Sequence, residues 1–476
     1  MALHVKLING RKYVYDVKSY RDSETKKVKK KTTYMGPCTD EKTKSFAPKK
    51  KQAVTKDDFS NRQIVNYGDA NILWRSLMAS DLAPAIFDVM PDNKDTLLAL
   101  IFYKILMGEA HKDAEVWYEG SYAKILFPNA RLESQRVSET LCELGKESVQ
   151  RKFFGRYIGE IAETSGEVVV DSTGMENEIE IPLTEYGGRS GDIRKETKMI
   201  MVVDRITHVP LYFRLVAGNI VDVSTLITTF SLMGKFGLSP SMVLMDAGYY
   251  SEKNIRSLFK SEIAFLTRLP AGRRLYKELI GQTAKTLESA QNIVIYNKRS
   301  LYMQRIKTDV CGYVGYAYVC CDIKQRGCKL DKFIREAKED KLSNDEISEK
   351  MPYIGKFILV SDKEMEPSEL LPLYYTRQVA ENTFGFAKSR LNLLPLRVHS
   401  IETLRGYMFL CYLALLLSIE IQGKLTKLCT LHEALAIGHN QFCEVFVNNC
   451  VPLEPNRRLC EVYDTLGTVV VSSSGE

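Results

Sequence analysis

Short apolar runs that read as β-strands recur between residues 166 and 269, and their order constrains the fold more than any other feature of the chain. The first three follow one another as a meander, and the last two alternate with segments of helical periodicity. The runs are Glu167–Asp171, Lys198–Asp204, Val209–Val216, Met242–Asp246 and Ile263–Thr267, and the helical segments are Val223–Phe236 and a helix that Ser251 caps. This order predicts a mixed-sheet α/β domain.

The pattern of apolar and polar residues differs on either side of this region. Before it, alternating residues flank Asn9-Gly10, which predicts a β-hairpin, and amphipathic helical patterns follow. After it, alternation rich in Tyr, Ile and Val predicts a mainly β insertion. The predicted division is a basic N-terminal segment with the hairpin at 1–60, a helical region at 61–165, the α/β domain at 166–269 and 356–425, a β-rich insertion at 270–355, and a C-terminal region at 426–476.

Charge is distributed unevenly along the chain. Residues 1–62 contain 17 Lys and Arg against 7 Asp and Glu, a net charge of +10, so the other 414 of the 476 residues carry −3 of the total of +7. A hydrophobic content of 45% excludes a disordered or collagen-like chain. The basic segment, with lysine clusters at 26–31 and 49–51, indicates either a polyanion partner such as nucleic acid or a solvated basic tail.

The cysteines and the longest apolar run bear on the cellular compartment. Eleven cysteines is an odd number, and several lie in apolar runs, which predicts reduced thiols rather than a disulfide framework. The cluster Cys311, Cys320, Cys321 and Cys328 lacks the paired spacing of zinc sites. The start of the chain lacks the apolar segment of a secretion signal, and Tyr407–Ile419 is shorter than the roughly 18–20 residues of a membrane span. We expect a cytoplasmic protein without a membrane segment, in which this run is a buried helix.

A long helix predicted from about Pro367 to Leu391 carries a phenol, a carboxylate and two cations along one side. At about 100° per residue, Tyr374, Arg377, Glu381 and Lys388 share an arc of roughly 60°. The opposite side of the helix is apolar and suited to packing. Taken alone, the side with these four residues also fits a solvated face on which Arg377 pairs with Glu381.

Two acids close apolar runs of the predicted sheet, Asp171 after Val168–Val170 and Asp246 after Met242–Met245. Each alone could be a turn residue or a helix cap, but side chains at the ends of strands are where α/β sites gather. If Glu381 joins them, three carboxylates need cations to remain together. Oxygen ligands of this kind suit Mg²⁺, and two such ions serve in-line phosphoryl displacement.

On these residues the chain resembles the DDE transposases of bacterial insertion sequences, in the branch with the signature Tyr-x2-Arg-x3-Glu-x6-Lys. The signature is Tyr374, Arg377, Glu381 and Lys388, and the two upstream acids lie in VVVDSTG and VLMDAGYYS. The segments VAGNIVDVSTL and LNLLPLRVHSIETLRGYMFLCYLALLL are also similar to the family.

The resemblance implies a ribonuclease-H-like mixed sheet flanked by helices, in which Asp171, Asp246 and Glu381 are catalytic and hold two Mg²⁺ ions, with Mn²⁺ as a substitute. It implies DNA contacts for Tyr374, Arg377, Lys388 and Asn219. Asn219 and Asp192 match family positions near the site, with a less defined role. Some relatives stack a flipped base of a DNA hairpin on a tryptophan in the insertion. This chain has none between 247 and 380, so Tyr296, Tyr302, Tyr313 or Tyr316 takes that place or no hairpin forms.

The resulting prediction is a transposase that excises and integrates an insertion sequence in a cut-and-paste manner. Its partners would be double-stranded DNA, both the terminal inverted repeats and the target, and a second copy in a dimer on DNA. Residues 61–165 would bind the DNA ends, in the bacterial cytoplasm and associated with the nucleoid. Two alternatives remain: a catalytically silent DNA-binding regulator derived from a transposase, and a ribonuclease-H-like nuclease.

Overall fold

The structure of the chain is a computed structural model. It describes residues 2–8, 11–21, 28–40, 42–43, 45–46, 63–162, 164–187, 193–340, 342–396, 398–446 and 449–467. The chain separates into two compact units, one of Met1–Gln63 with Val445–Asn449 and one of Ile64–Glu444 with Cys450–Glu476.

The N-terminal unit is an antiparallel sheet. Its strands are β1 (Ala2–Ile8), β2 (Arg11–Arg21), β3 (Val28–Asp40) and β4 (Ser45–Phe46), paired in that order. The β1–β2 register runs from Ala2 opposite Val17 to Ile8 opposite Arg11. The predicted hairpin is therefore confirmed in its pairing, whereas its turn residues Asn9 and Gly10 lie outside the described residues.

The second unit contains a large mixed sheet. The further strands of the described chain are β5 (Gln63–Asn66), β6 (Glu167–Glu176), β7 (Glu185–Gly187), β8 (Arg194–Asp204), β9 (Pro210–Ala217), β10 (Met242–Met245), β11 (Ala264–Arg268), β12 (Ile293–Tyr296), β13 (Arg299–Val310), β14 (Tyr313–Asp322), β15 (Lys356–Ser361), β16 (Phe442–Phe446) and β17 (Asn449–Pro452). The sheet has the order β12-β13-β14-β15-β11-β10-β6-β8-β7, and β9 also pairs with β8. The predicted mixed-sheet α/β architecture is confirmed.

The pairing directions follow from the chain connections. Strands β6, β8 and β9 form an antiparallel meander, as the sequence predicts. Strand β10 lies parallel to both β6 and β11, after helical crossovers. The strands of segment 270–355 extend this same sheet through the antiparallel pairing of β14 with β15. The central strands are nearly continuous apolar runs, which is typical of strands buried on both faces.

Helices cover the sheet and form the region before it. They are α1 (Gly68–Met78), α2 (Leu82–Phe87), α3 (Lys94–Leu106), α4 (Ala114–Glu119), α5 (Ala123–Leu126), α6 (Ser134–Leu144), α7 (Glu147–Arg156), α8 (Leu226–Gly234), α9 (Glu252–Lys260), α10 (Arg274–Thr283), α11 (Ile323–Glu339), α12 (Asn344–Lys350), α13 (Pro367–Tyr375), α14 (Gln378–Ser389), α15 (Ile401–Leu425), α16 (Leu431–His439) and α17 (Arg457–Thr465). The predicted cap is present, because the Ser251 hydroxyl accepts the Asn254 N–H at the start of α9.

The longest helix of the described chain, α15, contributes many buried side chains to the core of the second unit. By length and composition it could cross a membrane, but 83% of its most apolar window is buried inside the protein. It packs closely on α6, where a Cβ placed on Gly406 would lie 1.8 Å from the Leu141 carbonyl oxygen. The prediction of a buried helix around Tyr407–Ile419 is confirmed.

Three local expectations differ from the structure. Strand β6 does not end at Asp171 but continues to Glu176, because its later residues pair with β8. The helix predicted from Pro367 to Leu391 is interrupted between α13 and α14, where the Arg377 and Ala380 amides donate to carbonyls three residues back. These tighter turns follow Pro372, which lacks an amide donor.

The third difference concerns the cysteines. Cys443 and Cys450 form a disulfide between β16 and β17, so the prediction of reduced thiols is wrong for this pair. The Cα atoms of Cys443 and Cys450 are 6.5 Å apart, a distance that a disulfide can span. The other nine cysteines are free thiols, and Cys320, Cys321 and Cys411 are buried as expected for small apolar side chains.

Candidate functional site

The first two acids lie side by side on neighbouring parallel strands. In the register of β6 with β10, Val170 pairs with Met245. Asp171 and Asp246 occupy the next position along the chain, Asp171 inside β6 and Asp246 immediately after the last residue of β10. The pairing therefore brings together two carboxylates that are 75 residues apart in the sequence, as predicted.

The signature segment brings the third acid to the same place. Arg377, at the start of α14, approaches Asp171 with 3.5 Å between Nη1 and Oδ2, and donates to Glu381 over 2.7 Å from Nη2 to Oε1. Its guanidinium also lies 5.9 Å from the centre of the buried Tyr374 ring. One guanidinium thus joins the acid of a β-strand to the acid of a helix, and the predicted Arg377–Glu381 pair is part of this cluster.

Burial and charge shape the protonation of these groups. Burial raises the pKa of Asp171 to about 6, with the negative charges of Asp246 and Glu381 adding to the effect, while the Ser172 N–H and Arg377 oppose it. Burial works against the charge of Arg377, but the acids around it outweigh that effect and raise its pKa. Asp246 contributes most to that electrostatic effect. All three acids therefore act electrostatically on the one guanidinium.

Lys388 connects helix α14 to strand β6 through hydrogen bonds. Its ammonium donates to the Thr173 hydroxyl at 2.6 Å and to the Gly174 carbonyl at 3.0 Å, both in β6 beyond Asp171. Burial lowers the pKa of Lys388, and the charges of Glu196 and Glu176 partly oppose this. The lysine of the signature is therefore next to the site, as expected, but it is bonded to the protein.

The remaining predicted residues are less closely placed. Asn219 lies on an exposed turn after β9, and Asp192 and the lysines at 26–27 and 49–51 are outside the described residues. Of the tyrosines considered for stacking, Tyr296 stacks on Tyr375 with ring centres 5.1 Å apart. Tyr313 stacks on Phe259 at 4.6 Å.

One acid near the site is not identified by sequence reasoning from single residues. The Asp222 carboxylate accepts the hydroxyl of Ser172 at 2.7 Å, and Ser172 is the neighbour of Asp171. The two partners are 50 residues apart, so no local pattern links them. The only available signal is the position of Asp222 in the segment VAGNIVDVSTL.

The donor chemistry of the cluster fits a hard divalent cation. Among the residues that the structure describes, no three His, Cys, Asp or Glu side chains are arranged to hold a metal ion directly. Arg377 takes the place of a metal ion in this structure, because its guanidinium lies among the three carboxylates and neutralises them. If the guanidinium turned away, three acids would share one space, which requires another cation. Carboxylate oxygens are the ligands that Mg²⁺ prefers.

Comparison with known proteins gives the family. No curated protein matches the chain. Among solved structures, it is similar to a piggyBac transposase, in a cryo-EM structure of a synaptic complex with hairpin DNA, at 9% identity and a TM-score of 0.42, over 78% of this chain and 79% of that one. A family model described as the transposase DDE domain matches residues 164–417, which is more than half of the chain and spans all three acids. The chain belongs to the family of transposases with a DDE domain.

Proposed function

We propose that this chain is an active DNA transposase of the bacterial insertion-sequence branch, which excises its own element and inserts it into a target. The observation that carries the proposal is the convergence of Asp171, Asp246 and Glu381 on one guanidinium, inside the matched DDE domain. A degenerate copy would have no reason to keep all three acids and the complete signature Tyr-x2-Arg-x3-Glu-x6-Lys.

The topology supports a ribonuclease-H-like catalytic domain. Its five central strands would be β9-β8-β6-β10-β11, an antiparallel meander followed by two parallel strands. Asp171 would lie on the central strand and Asp246 on the next one, and helix α14 would bring Glu381 over that edge. This arrangement explains why acids that are far apart in sequence share one site.

The three acids would hold two Mg²⁺ ions, or Mn²⁺ in their place. When bound, the metal supplies activation of the attacking oxygen and neutralisation of the leaving oxygen in an in-line displacement at phosphorus. Asp171 is positioned for this by the backbone of the next residue, since the Ser172 N–H donates to Oδ1 at 2.9 Å. Glu381 has a side chain that is half exposed, so it can leave Arg377 and turn toward a cation.

The cations of the signature would then bind DNA. Arg377 would exchange its carboxylate partners for a phosphate, for which its planar fork is well suited. Tyr374 and Asn219 would contact the backbone near the cleaved bond. Lys388 would act from the end of β6, where its bonds to Thr173 and Gly174 fix its position.

The partners follow from this chemistry. The proposed substrates are double-stranded terminal inverted repeats and target DNA, with residues 61–165 and the basic N-terminal segment contributing to end recognition. Because two ends must be joined, we propose a homodimer on DNA. The proposed location is the bacterial cytoplasm, in association with the nucleoid.

The test uses DNA that flanks the reading frame in its genome, where imperfect inverted repeats and a short outer duplication should be found. Purified protein is expected to nick this DNA at the repeat in Mg²⁺ or Mn²⁺ and to join the end to a target plasmid. Asp171→Asn, Asp246→Asn and Glu381→Gln should lose cleavage by at least about 1000-fold, as expected when a metal-binding carboxylate is removed. Each should still bind the repeat in a gel-shift assay.

Glu369→Gln is the matched control, because this exposed acid of α13 lies outside the cluster. It should retain full activity. Full activity of any of the three site variants would contradict the proposal. Binding without nicking in the unmodified protein would favour a silent regulator, and nicking without strand transfer would favour a nuclease.

A further inference from the structure

Asp222 is a partly buried acid on the other side of the strand that carries Asp171. It begins a single helical turn, Asp222–Ser224, after β9. Its side chain is 10% exposed, and its Oδ1 accepts the Ser172 hydroxyl at 2.7 Å and lies 3.8 Å from the Lys198 ammonium. Successive side chains of a strand point to opposite faces. Asp222 and Ser172 therefore lie on the face opposite Asp171 and Arg377.

Ser172 links this acid to the proposed catalytic one. Its backbone N–H donates to Asp171 Oδ1 at 2.9 Å, while its hydroxyl donates to Asp222 Oδ1. The two bonds hold one residue from both faces of β6. Any shift of Ser172 would therefore change the direction of the hydrogen bond that Asp171 receives.

Asp222 also contacts the turn that follows the second acid. A Cβ placed on Gly248, two residues after Asp246, would lie 3.1 Å from Asp222 Oδ2. The amide of Asn254 joins the same two turns, since it donates to the Val223 carbonyl at 2.7 Å and to the Tyr249 carbonyl at 2.8 Å. Asn254 is 1% exposed, so this connection is part of the core.

We propose that Asp222 is a positioning residue for the metal-binding acids, which holds Ser172 behind Asp171 and Gly248 behind Asp246 and so fixes the spacing of the two carboxylates. This inference rests on the proposed function and adds a residue that does not itself touch metal or DNA. Packing alone does not require a hydrogen-bond acceptor at this position. Orientation of the Ser172 hydroxyl from behind the strand does, and the Lys198 ammonium, 3.8 Å away, offsets the charge of the carboxylate.

The test compares Asp222→Ala, Asp222→Asn and Ser172→Ala in the full chain. We expect Asp222→Ala and Ser172→Ala to lower kcat for end cleavage by about 10- to 100-fold, the effect of a small misplacement, with KM for DNA within about twofold. The Mn²⁺ concentration for half-maximal activity should rise at least about fivefold. Asp222→Asn keeps an acceptor oxygen for Ser172 and should recover most of kcat.

A second readout does not depend on cleavage. Mn²⁺ without DNA should raise the Tm of the unmodified protein and of Glu369→Gln, and should raise it less in Ser172→Ala. Ser172→Ala removes one hydroxyl and is the variant that folds most readily. Gly248→Ala alone should lower kcat, because the added Cβ would press against the Asp222 carboxylate. In a protein that already carries Asp222→Ala, the same change should lower kcat little further, because that carboxylate is absent.

Two outcomes separate the inference from the proposed function. If Asp171→Asn is inactive while Asp222→Ala and Ser172→Ala keep the normal kcat and Mn²⁺ dependence, the positioning role is wrong and the function stands. If Asp171→Asn is itself active, the function fails first. A loss in Asp222→Asn as deep as in Asp222→Ala would also overturn the inference.

Discussion

Arg377 holds the candidate site together without metal. Its guanidinium contacts Asp171 and Glu381 and receives the strongest electrostatic effect from Asp246. Only 11% of the Asp171 side chain is exposed, so its charge needs a nearby cation. The same arginine therefore competes with divalent metal for the three carboxylates.

Replacing Arg377 by Ala should make the stability of the protein depend on metal. In EDTA the variant should lose about 2 kcal/mol, as for a hydrogen-bonded charge that loses its partner. Added Mn²⁺ should restore more of its Tm than it adds to the unmodified protein, because the carboxylates then gain a cation. Thermal unfolding with and without Mn²⁺ measures this. An equal Mn²⁺ shift in both proteins would contradict the competition.

His111 gives a prediction for pH. Its imidazole packs against the rings of Tyr103 and Tyr407, and burial, aided by the charge of Lys104, lowers its pKa to about 3. The folded state therefore disfavours a proton that the unfolded chain accepts near pH 6.5. Stability is fully present above that pH and is lost as the pH falls toward 3, by about 2 kcal/mol between pH 7 and pH 5.

His111→Gln removes the titrating group and should flatten this dependence. Urea unfolding at pH 7 and pH 5 is the measurement, and the exposed His432→Gln is the matched control. The control should keep the acid sensitivity of the unmodified protein. Identical pH dependence of His111→Gln and the unmodified protein would show that another group is responsible.

At the scale of single residues, the sequence predicts the site better than its surroundings. The runs before Asp171 and Asp246 and the spacing of the signature indicate the residues that the structure brings together. The role of Asp222 cannot be read in this way, because it depends on a contact across 50 residues. The position of Arg377 among the acids also requires the three-dimensional arrangement.

Among the elements, helix α15 depends on glycine where it crosses α6. A Cβ on Gly406 would overlap the Leu141 carbonyl oxygen, whereas Gly423 of the same helix has nothing within 4 Å. Gly406→Ala should therefore destabilise the protein by about 1–3 kcal/mol through overpacking. Gly423→Ala should be neutral or stabilise by up to about 1 kcal/mol, since alanine favours helix.

Denaturant unfolding of the two variants measures the difference within one helix. Equal stability of both would mean that α15 and α6 do not approach closely through Gly406. The helix itself is predictable from its apolar run, and its close contact is not, because that depends on the partner. The 100° periodicity does not show the break between α13 and α14, because it assumes an uninterrupted helix, whereas Pro372 within the run is a local signal for it.

For the molecule as a whole, the order of strands and helices predicts a mixed sheet, but not its extent. The sequence indicates a separate β-rich insertion at 270–355, whose strands the structure places in the same sheet through β14 and β15. The division into domains stays a prediction. Which strand edges meet is decided by long-range pairing, which no local pattern encodes.

Charge is the whole-molecule property that DNA binding should reveal. The N-terminal 62 residues carry a net charge of +10, and Lys30 and Lys31 are exposed on β3. If these lysines neutralise phosphates, Lys30→Ala with Lys31→Ala should reduce the slope of log affinity against log salt by about 2. Fluorescence anisotropy with the terminal repeat at several salt concentrations measures the slope.

The exposed pair Lys253 and Lys260 on α9 gives a control with the same loss of charge. If Lys253 and Lys260 make no phosphate contact, their replacement by Ala should leave the slope close to that of the unmodified protein, because exposed charges more than about 8–10 Å apart are screened in physiological salt. Equal changes for both pairs would mean that the affinity follows net charge alone. A change confined to β3 would place phosphate contacts on the N-terminal sheet, and the basic segment would then be a DNA-binding surface rather than a solvated tail.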